Sequence, residues 1–194
     1  MENCVYEPSD DTFLAIEGLK KAIEYATQGK HSTVLDIVDI GSGTGLISKD
    51  ALEIAPDIRI VSVDISPYAV EATRGTLNIP QEPRALVVQC DAGKCVWRAD
   101  IAVFNPPYLP PSPEDSLLEG LCNGWYLKSL VNPEAMARMC LEASRIAPIV
   151  VAVYSSLSPV DILKCLRGRG YEVIATLKKK LFFEDLYSIV AVRR

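Results

Sequence analysis

Short β-branched runs alternate along this chain with longer segments of helical periodicity, and that alternation leaves few folds open. Strands are expected at Val34–Ile40, Ile58–Asp64, Arg84–Cys90, Ala99–Phe104, Ile149–Tyr154, Tyr171–Leu177 and Leu186–Val192. Helices are expected at Asp11–Thr27, Leu46–Ile54, Pro67–Leu77, Pro133–Arg145 and Pro159–Arg167, with Ser66 and Ser158 as N-caps ahead of a first-turn proline. Apolar strands separated by amphipathic helices belong to a parallel sheet covered on both faces. Only Lys178–Asp185 joins the last two strands, too little for a crossover helix, so these two should pair antiparallel. The expected architecture is α/β: a seven-stranded, mostly parallel sheet with an antiparallel C-terminal strand and helices on both faces. At 194 residues, 1–194 reads as one domain.

The net charge is −5 at neutral pH, which argues against a main role in wrapping phosphate backbone, so DNA is not an expected partner. The N-terminus lacks the basic start and apolar core of a signal peptide, and no run approaches the ~18 apolar residues of a membrane span. No membrane association is expected, and a cytoplasmic location is. The cysteines Cys4, Cys90, Cys95, Cys122, Cys140 and Cys165 contain no C-x-x-C pair, and His31 is the single histidine. That composition carries no metal-site pattern, and the cysteines are expected to be reduced core or surface residues.

The first strand runs into Asp39-Ile40-Gly41-Ser42-Gly43-Thr44-Gly45 and then a helix. Glycines at that turn let the backbone approach a ligand closely, but the spacing is neither a dinucleotide fingerprint nor a phosphate loop. Acids sharpen the reading: Asp39, Asp64 and Asp91 stand at or near the ends of three successive strands, on the sheet edge where α/β proteins bind ligands. Carboxylates there suit an ammonium, a ribose diol and an adenine amino group, and would repel pyrophosphate. S-adenosylmethionine fits that description better than NAD or ATP.

After the fourth strand comes Asn105-Pro106-Pro107-Tyr108. The prolines stiffen the turn, leaving the Asn105 amide and the Pro106 carbonyl as fixed acceptors beside an aromatic face. Two acceptors can take both hydrogens of a planar NH2 while Tyr108 stacks on its π-face. An amide nitrogen is a poor nucleophile because its lone pair is delocalised. Binding both hydrogens returns density to nitrogen and aims it, and no general base is strictly needed because the proton can leave after transfer. The stretch from Asn105 to about Asn132 opens with five prolines in nine residues and suits a lid or binding loop, with Trp125 as core or substrate platform.

These segments resemble the class I S-adenosylmethionine-dependent methyltransferases that act on planar nitrogens, which have a Rossmann-like domain. Tyr6-Glu7-Pro8-Ser9-Asp10-Asp11-Thr12-Phe13-Leu14 narrows the resemblance to the short HemK-type enzymes of archaea and eukaryotes. Those enzymes methylate the glutamine of the Gly-Gly-Gln motif in class 1 translation release factors. The resemblance implies S-adenosyl-L-methionine as cofactor and S-adenosyl-L-homocysteine as product. It implies cofactor contacts from Thr12, Asp39, Gly41, Gly43, Asp64, Ile65, Asp91, Ala92 and Asn105. Asn105, Pro106, Pro107 and Tyr108 would form the catalytic turn, and Tyr6, Pro8, Asp11, Asn105 and Tyr108 would meet the substrate, unless Asp11 merely caps its helix. The family's usual Ala-Glu pair is replaced here by Ser9-Asp10, and Leu118–Tyr126 carries fewer glycines than expected.

In the class I strand order, Arg84–Cys90 is an open edge with an apolar run at Ala85–Val88. The resemblance implies a partner for it, a small zinc-binding activator protein forming a heterodimer through residues 84–90. A covering segment of the same chain is the alternative. Rival functions are adenine or guanine N-methylation of nucleic acid, lysine methylation of protein, and a non-catalytic S-adenosylmethionine-binding scaffold. Lys178-Lys179-Lys180 is either a solvated hairpin face or a docking surface near ribosomal RNA.

Overall fold

The β-branched runs pair into one sheet in the computed structural model, which describes residues 4–28, 34–79, 81–108, 122 and 132–194. The strands are β1 (Leu35–Ile40), β2 (Ile58–Asp64), β3 (Ala85–Gln89), β4 (Ile101–Phe104), β5 (Ile149–Ser155), β6 (Tyr171–Lys180) and β7 (Asp185–Arg193). Their order is β3-β2-β1-β4-β5-β7-β6. The contiguous pairs from β3 to β5 are parallel, whereas β7 runs antiparallel to both neighbours. The helices are α1 (Asp10–Thr27), α2 (Leu46–Ile54), α3 (Pro67–Thr76), α4 (Pro133–Ile146) and α5 (Ile162–Arg167).

Burial follows the apolar runs. Every residue of β4 is buried, as is all of β5 except Tyr154. α1 lies against β5 and β7 with α2 beside it, and α4 packs on β4, β5 and α5. The approach of α1 depends on Gly18, where a Cβ would collide with Ser188 Oγ and meet Val151 Cγ1 at 3.0 Å. Because β1 has β2 on one side and β4 on the other, connections leave it in opposite directions, opening a crevice beyond the carboxyl ends of these strands. β3 and β6 are the edge strands, and on β3 Leu86 is exposed.

Two expectations need correcting. Ser66 does cap its helix, accepting from the Ala69 N–H, but Ser158 does not. Ser158 Oγ instead accepts from the Ser155 N–H at 2.9 Å, and α5 starts later, capped by Asp161, which accepts from the Lys164 N–H at 2.9 Å. Aspartate is among the strongest N-caps, and its position beats that of a serine before Pro159.

Nor are the cysteines reduced: Cys4–Cys122, Cys90–Cys95 and Cys140–Cys165 are disulfides, with Cα separations of 5.4, 6.2 and 6.7 Å. Packing of α4 on α5 brings Cys140 to Cys165, and the tight loop after β3 joins Cys90 to Cys95. His31, Trp125 and the proposed lid, apart from Asn105–Tyr108, Cys122 and Asn132, lie outside the described residues.

Candidate active site

The turn after β1 works because glycine tolerates left-handed backbone: φ is +78° at Gly41, +55° at Gly43 and +82° at Gly45. Space is also missing, since a Cβ on Gly45 would meet Thr73 Cα at 2.9 Å. The Gly41 N–H donates to Val63 O at 2.8 Å, which sews the loop to β2. Asp64, at the end of β2, accepts from the Gly43 N–H (3.0 Å) and the Ser66 N–H (2.9 Å). Burial raises its pKa, partly offset by those backbone donors. An ionised carboxylate has about four acceptor positions, so these bonds leave acceptor capacity for a ligand's hydroxyl.

Beyond β3, Asp91 is flanked by Lys94 and by Arg138, whose Nε lies 3.5 Å from Asp91 Oδ1. Ala92 has a left-handed φ of +50°, uncommon for a residue with a Cβ and a conformation that re-aims the backbone there.

Across the crevice, Pro106 and Tyr108 are buried after β4. The Tyr108 hydroxyl donates to Asp11 Oδ2 at 2.9 Å, while Asp11 Oδ1 accepts from the Thr12 N–H at 2.7 Å. Asp11 therefore anchors the tetrapeptide while also accepting a first-turn N–H of α1, whose cap residue is Ser9. Burial first, then the Asp11 charge, push the Tyr108 phenol far above its usual range, so it stays a neutral donor. The turn is closed behind by Asn132, whose backbone N–H donates to Pro107 O at 3.2 Å. Asn105 Oδ1 is buried with no hydrogen-bond partner among the described residues.

These elements enclose a cavity of about 360 Å³, within the roughly 300–1,000 Å³ of small-molecule sites. Tyr6, Asp11, Thr12, Gly41, Gly43, Asp64, Ile65, Asp91, Ala92, Asn105, Pro106, Pro107 and Tyr108 all line it. Asp39 and Pro8 do not. Asp39 is wholly buried beneath the glycine turn, accepting from Ser48 Oγ at 2.7 Å. Burial is the main cause that pushes its pKa up to about 7, with Asp64's charge adding to it.

The sequence reading missed the contribution of α4. Asn132, Ala135, Arg138 and Met139 also face the cavity, and Met139 Cε would lie 2.8 Å from a Cβ on Gly41. Their spacing is a helical stripe, a signal present in the sequence, but its direction depends on how α4 packs. Val5 and Cys4 complete the wall from the N-terminal side.

The methyltransferase small domain model matches residues 22–118. A Methanocaldococcus jannaschii protein carrying the name protein N5-glutamine methyltransferase is 28% identical over 193 residues, covering 97% of this chain and 92% of that one. The eRF1 methyltransferase catalytic subunit mtq2 of Schizosaccharomyces pombe is 27% identical, covering 98% and 89%. Among solved structures, magnesium protoporphyrin IX methyltransferase from Synechocystis with bound SAM superposes with a TM-score of 0.61 at 14% identity, covering 97% and 86%, a likeness of fold. Glycine turn, strand-end acids and a matched model over half the sequence agree: this chain belongs to the methyltransferase small domain family.

Proposed function

We propose that the chain, over 1–194, is one S-adenosylmethionine-dependent methyltransferase domain acting on a protein glutamine side-chain amide, that of the Gly-Gly-Gln motif in a class 1 translation release factor. The observation that carries it is Asn105 Oδ1, a buried acceptor without a partner among the described residues, on the wall of a cavity shared with the glycine turn. An orphaned buried acceptor costs about 1–3 kcal/mol, a cost that a bound NH2 donor removes.

The cofactor pocket fits on the same grounds. Asp64 keeps free acceptor positions, Asp91 and Ala92 stand at the next strand end, and Gly41 and Gly45 of the glycine turn leave no room for a Cβ. Bound there, S-adenosylmethionine would supply an electrophilic methyl group. Asn105 would hold the amide of the substrate by its hydrogens, and the neutral Tyr108 ring, fixed by Asp11, would set the plane of that amide. Pro106 and Pro107 keep this geometry from relaxing. Thr12 and Tyr6 would close the pocket on the N-terminal side.

A planar amide suits this wall better than a lysine ammonium, whose three donors point tetrahedrally. The names of two full-length relatives, protein N5-glutamine methyltransferase and eRF1 methyltransferase, support the same substrate. The phrase catalytic subunit in the second supports a partner, which we take to be a small zinc-binding activator adding a strand to the exposed β3 edge. Action on release factors supports a cytoplasmic location. Among the described residues no helix is long and apolar enough to cross a membrane. Three disulfides narrow the kind of cytoplasm to one that tolerates them, as in hyperthermophiles.

The test is transfer of labelled methyl to a release factor by wild type and Asn105→Ala, with and without the activator. Wild type should label the Gly-Gly-Gln glutamine, and the variant should lose transfer while retaining most cofactor affinity. Unchanged turnover in the variant refutes the role given to Asn105. Label that nuclease removes would identify a nucleic-acid enzyme instead.

A further inference from the structure

Phe182 and Phe183 are 92% and 85% exposed at the tip of the β6–β7 hairpin, next to a loop after β5 where Leu157 is 65% exposed. Isolated exposed apolar residues are ordinary, but clustered aromatics on a folded surface mark interaction sites. This cluster sits at the reactive end of the molecule. β6 runs in the same direction as β5, so the tip lies at the carboxyl edge of the sheet, the edge that carries the tetrapeptide. Lys179 Nζ pairs with Asp10 at 2.8 Å, beside the Asp11 that anchors Tyr108. Glu184, the next residue along the tip, is near enough for its charge to act on the Tyr108 phenol.

The tip is also held rigidly. The Leu181 N–H donates to Glu184 O at 2.9 Å, closing the turn. The Ser156 N–H donates to Asp185 O at 2.8 Å, the Asp185 N–H donates to Ser156 Oγ at 3.0 Å, and Ser155 Oγ donates to Glu184. A surface ordered before binding loses less entropy when a partner arrives.

Charge and ring geometry indicate the kind of partner. A strand of nucleic acid would need unpaired cations to track phosphates and a flat aromatic face for its bases. Lys178 is paired with Asp185 at 2.8 Å and Lys179 with Asp10, so much of the basic run is already neutralised, and Glu184 adds a negative charge. The two rings pack edge to face, 4.7 Å between centroids at 77°, forming an apolar knob instead of a stacking platform.

We infer that Phe182 and Phe183, with Leu157, form the docking surface for the protein substrate, engaging apolar side chains that flank the methyl-accepting amide. This rests on the protein-amide reading above. It assigns capture of the substrate to the hairpin and chemistry to Asn105, so the two can be separated.

The experiment compares wild type with Phe182→Ser/Phe183→Ser, measuring methyl transfer to an intact release factor and to a short Gly-Gly-Gln peptide, with cofactor affinity by calorimetry. Because both residues are exposed, a melting curve matching wild type will verify folding. The variant should raise KM for the intact factor by about tenfold or more, as loss of aromatic anchors does. Its kcat, its transfer to the peptide and its cofactor affinity should stay within about twofold. An active wild type whose variant keeps the same KM for the intact factor overturns the docking surface alone, whether or not the variant loses affinity for single-stranded RNA. A wild type that labels neither factor nor peptide overturns the amide reading, and this surface with it.

Discussion

The carboxyl of Asp39 should make this protein less stable as the pH rises, opposite to the usual behaviour of an acid. Its folded pKa is about 7 against an ordinary value of 3.8, because a wholly buried group resists ionisation. The folded state therefore holds the proton more tightly than the unfolded chain, and stability is lost as pH climbs from near 4 through 7. At about 1.36 kcal/mol per pH unit of differential binding, the full effect is about 4 kcal/mol, of which about 2–3 kcal/mol falls between pH 5 and pH 8. Asp39→Asn keeps the size and the acceptor for Ser48 Oγ but cannot ionise. Urea unfolding followed by circular dichroism at pH 5, 6, 7 and 8 should show wild type losing that much stability relative to the variant. Asp64 contributes a slope of the same sign in both proteins, and its charge, which helps to raise the Asp39 pKa, is part of what the difference reads. Parallel pH profiles for wild type and Asp39→Asn would refute the reasoning.

Tyr108→Phe should lower stability by about 2 kcal/mol, because it removes a hydrogen bond to the buried Asp11 carboxylate; chemical denaturation at pH 7 measures it. Cys4→Ser/Cys122→Ser opens a cross-link spanning 118 residues, worth about 4–5 kcal/mol in the chain-entropy account. Melting with and without reductant should show wild type losing stability on reduction and the variant losing less. Gly18→Ala, which would ordinarily favour a helix, should instead destabilise by about 1–3 kcal/mol through overpacking against Ser188 and Val151, seen as a lower urea midpoint at constant slope.

Strand positions, the antiparallel end, the glycine turn and the strand-end acids were legible in the sequence because each is encoded locally. Alternation of β-branched and amphipathic segments sets the elements, and left-handed glycines set the turn. Even Asn105-Pro106-Pro107-Tyr108 stands out as a candidate site by residue type and by its place after β4. Tertiary structure alone decided three other things. It turned the Asn132–Met139 stripe of α4 toward the cavity, because a helix's apolar or ligand face has no direction until it is packed. It withdrew Asp39 from the cavity wall while leaving Asp64 and Asp91 in it, since the glycine turn folds over the first strand end. And it paired the cysteines: six can join in roughly 15 ways, and only the approach of α4 to α5, the turn after β3 and the N-terminal segment against Cys122 selects one.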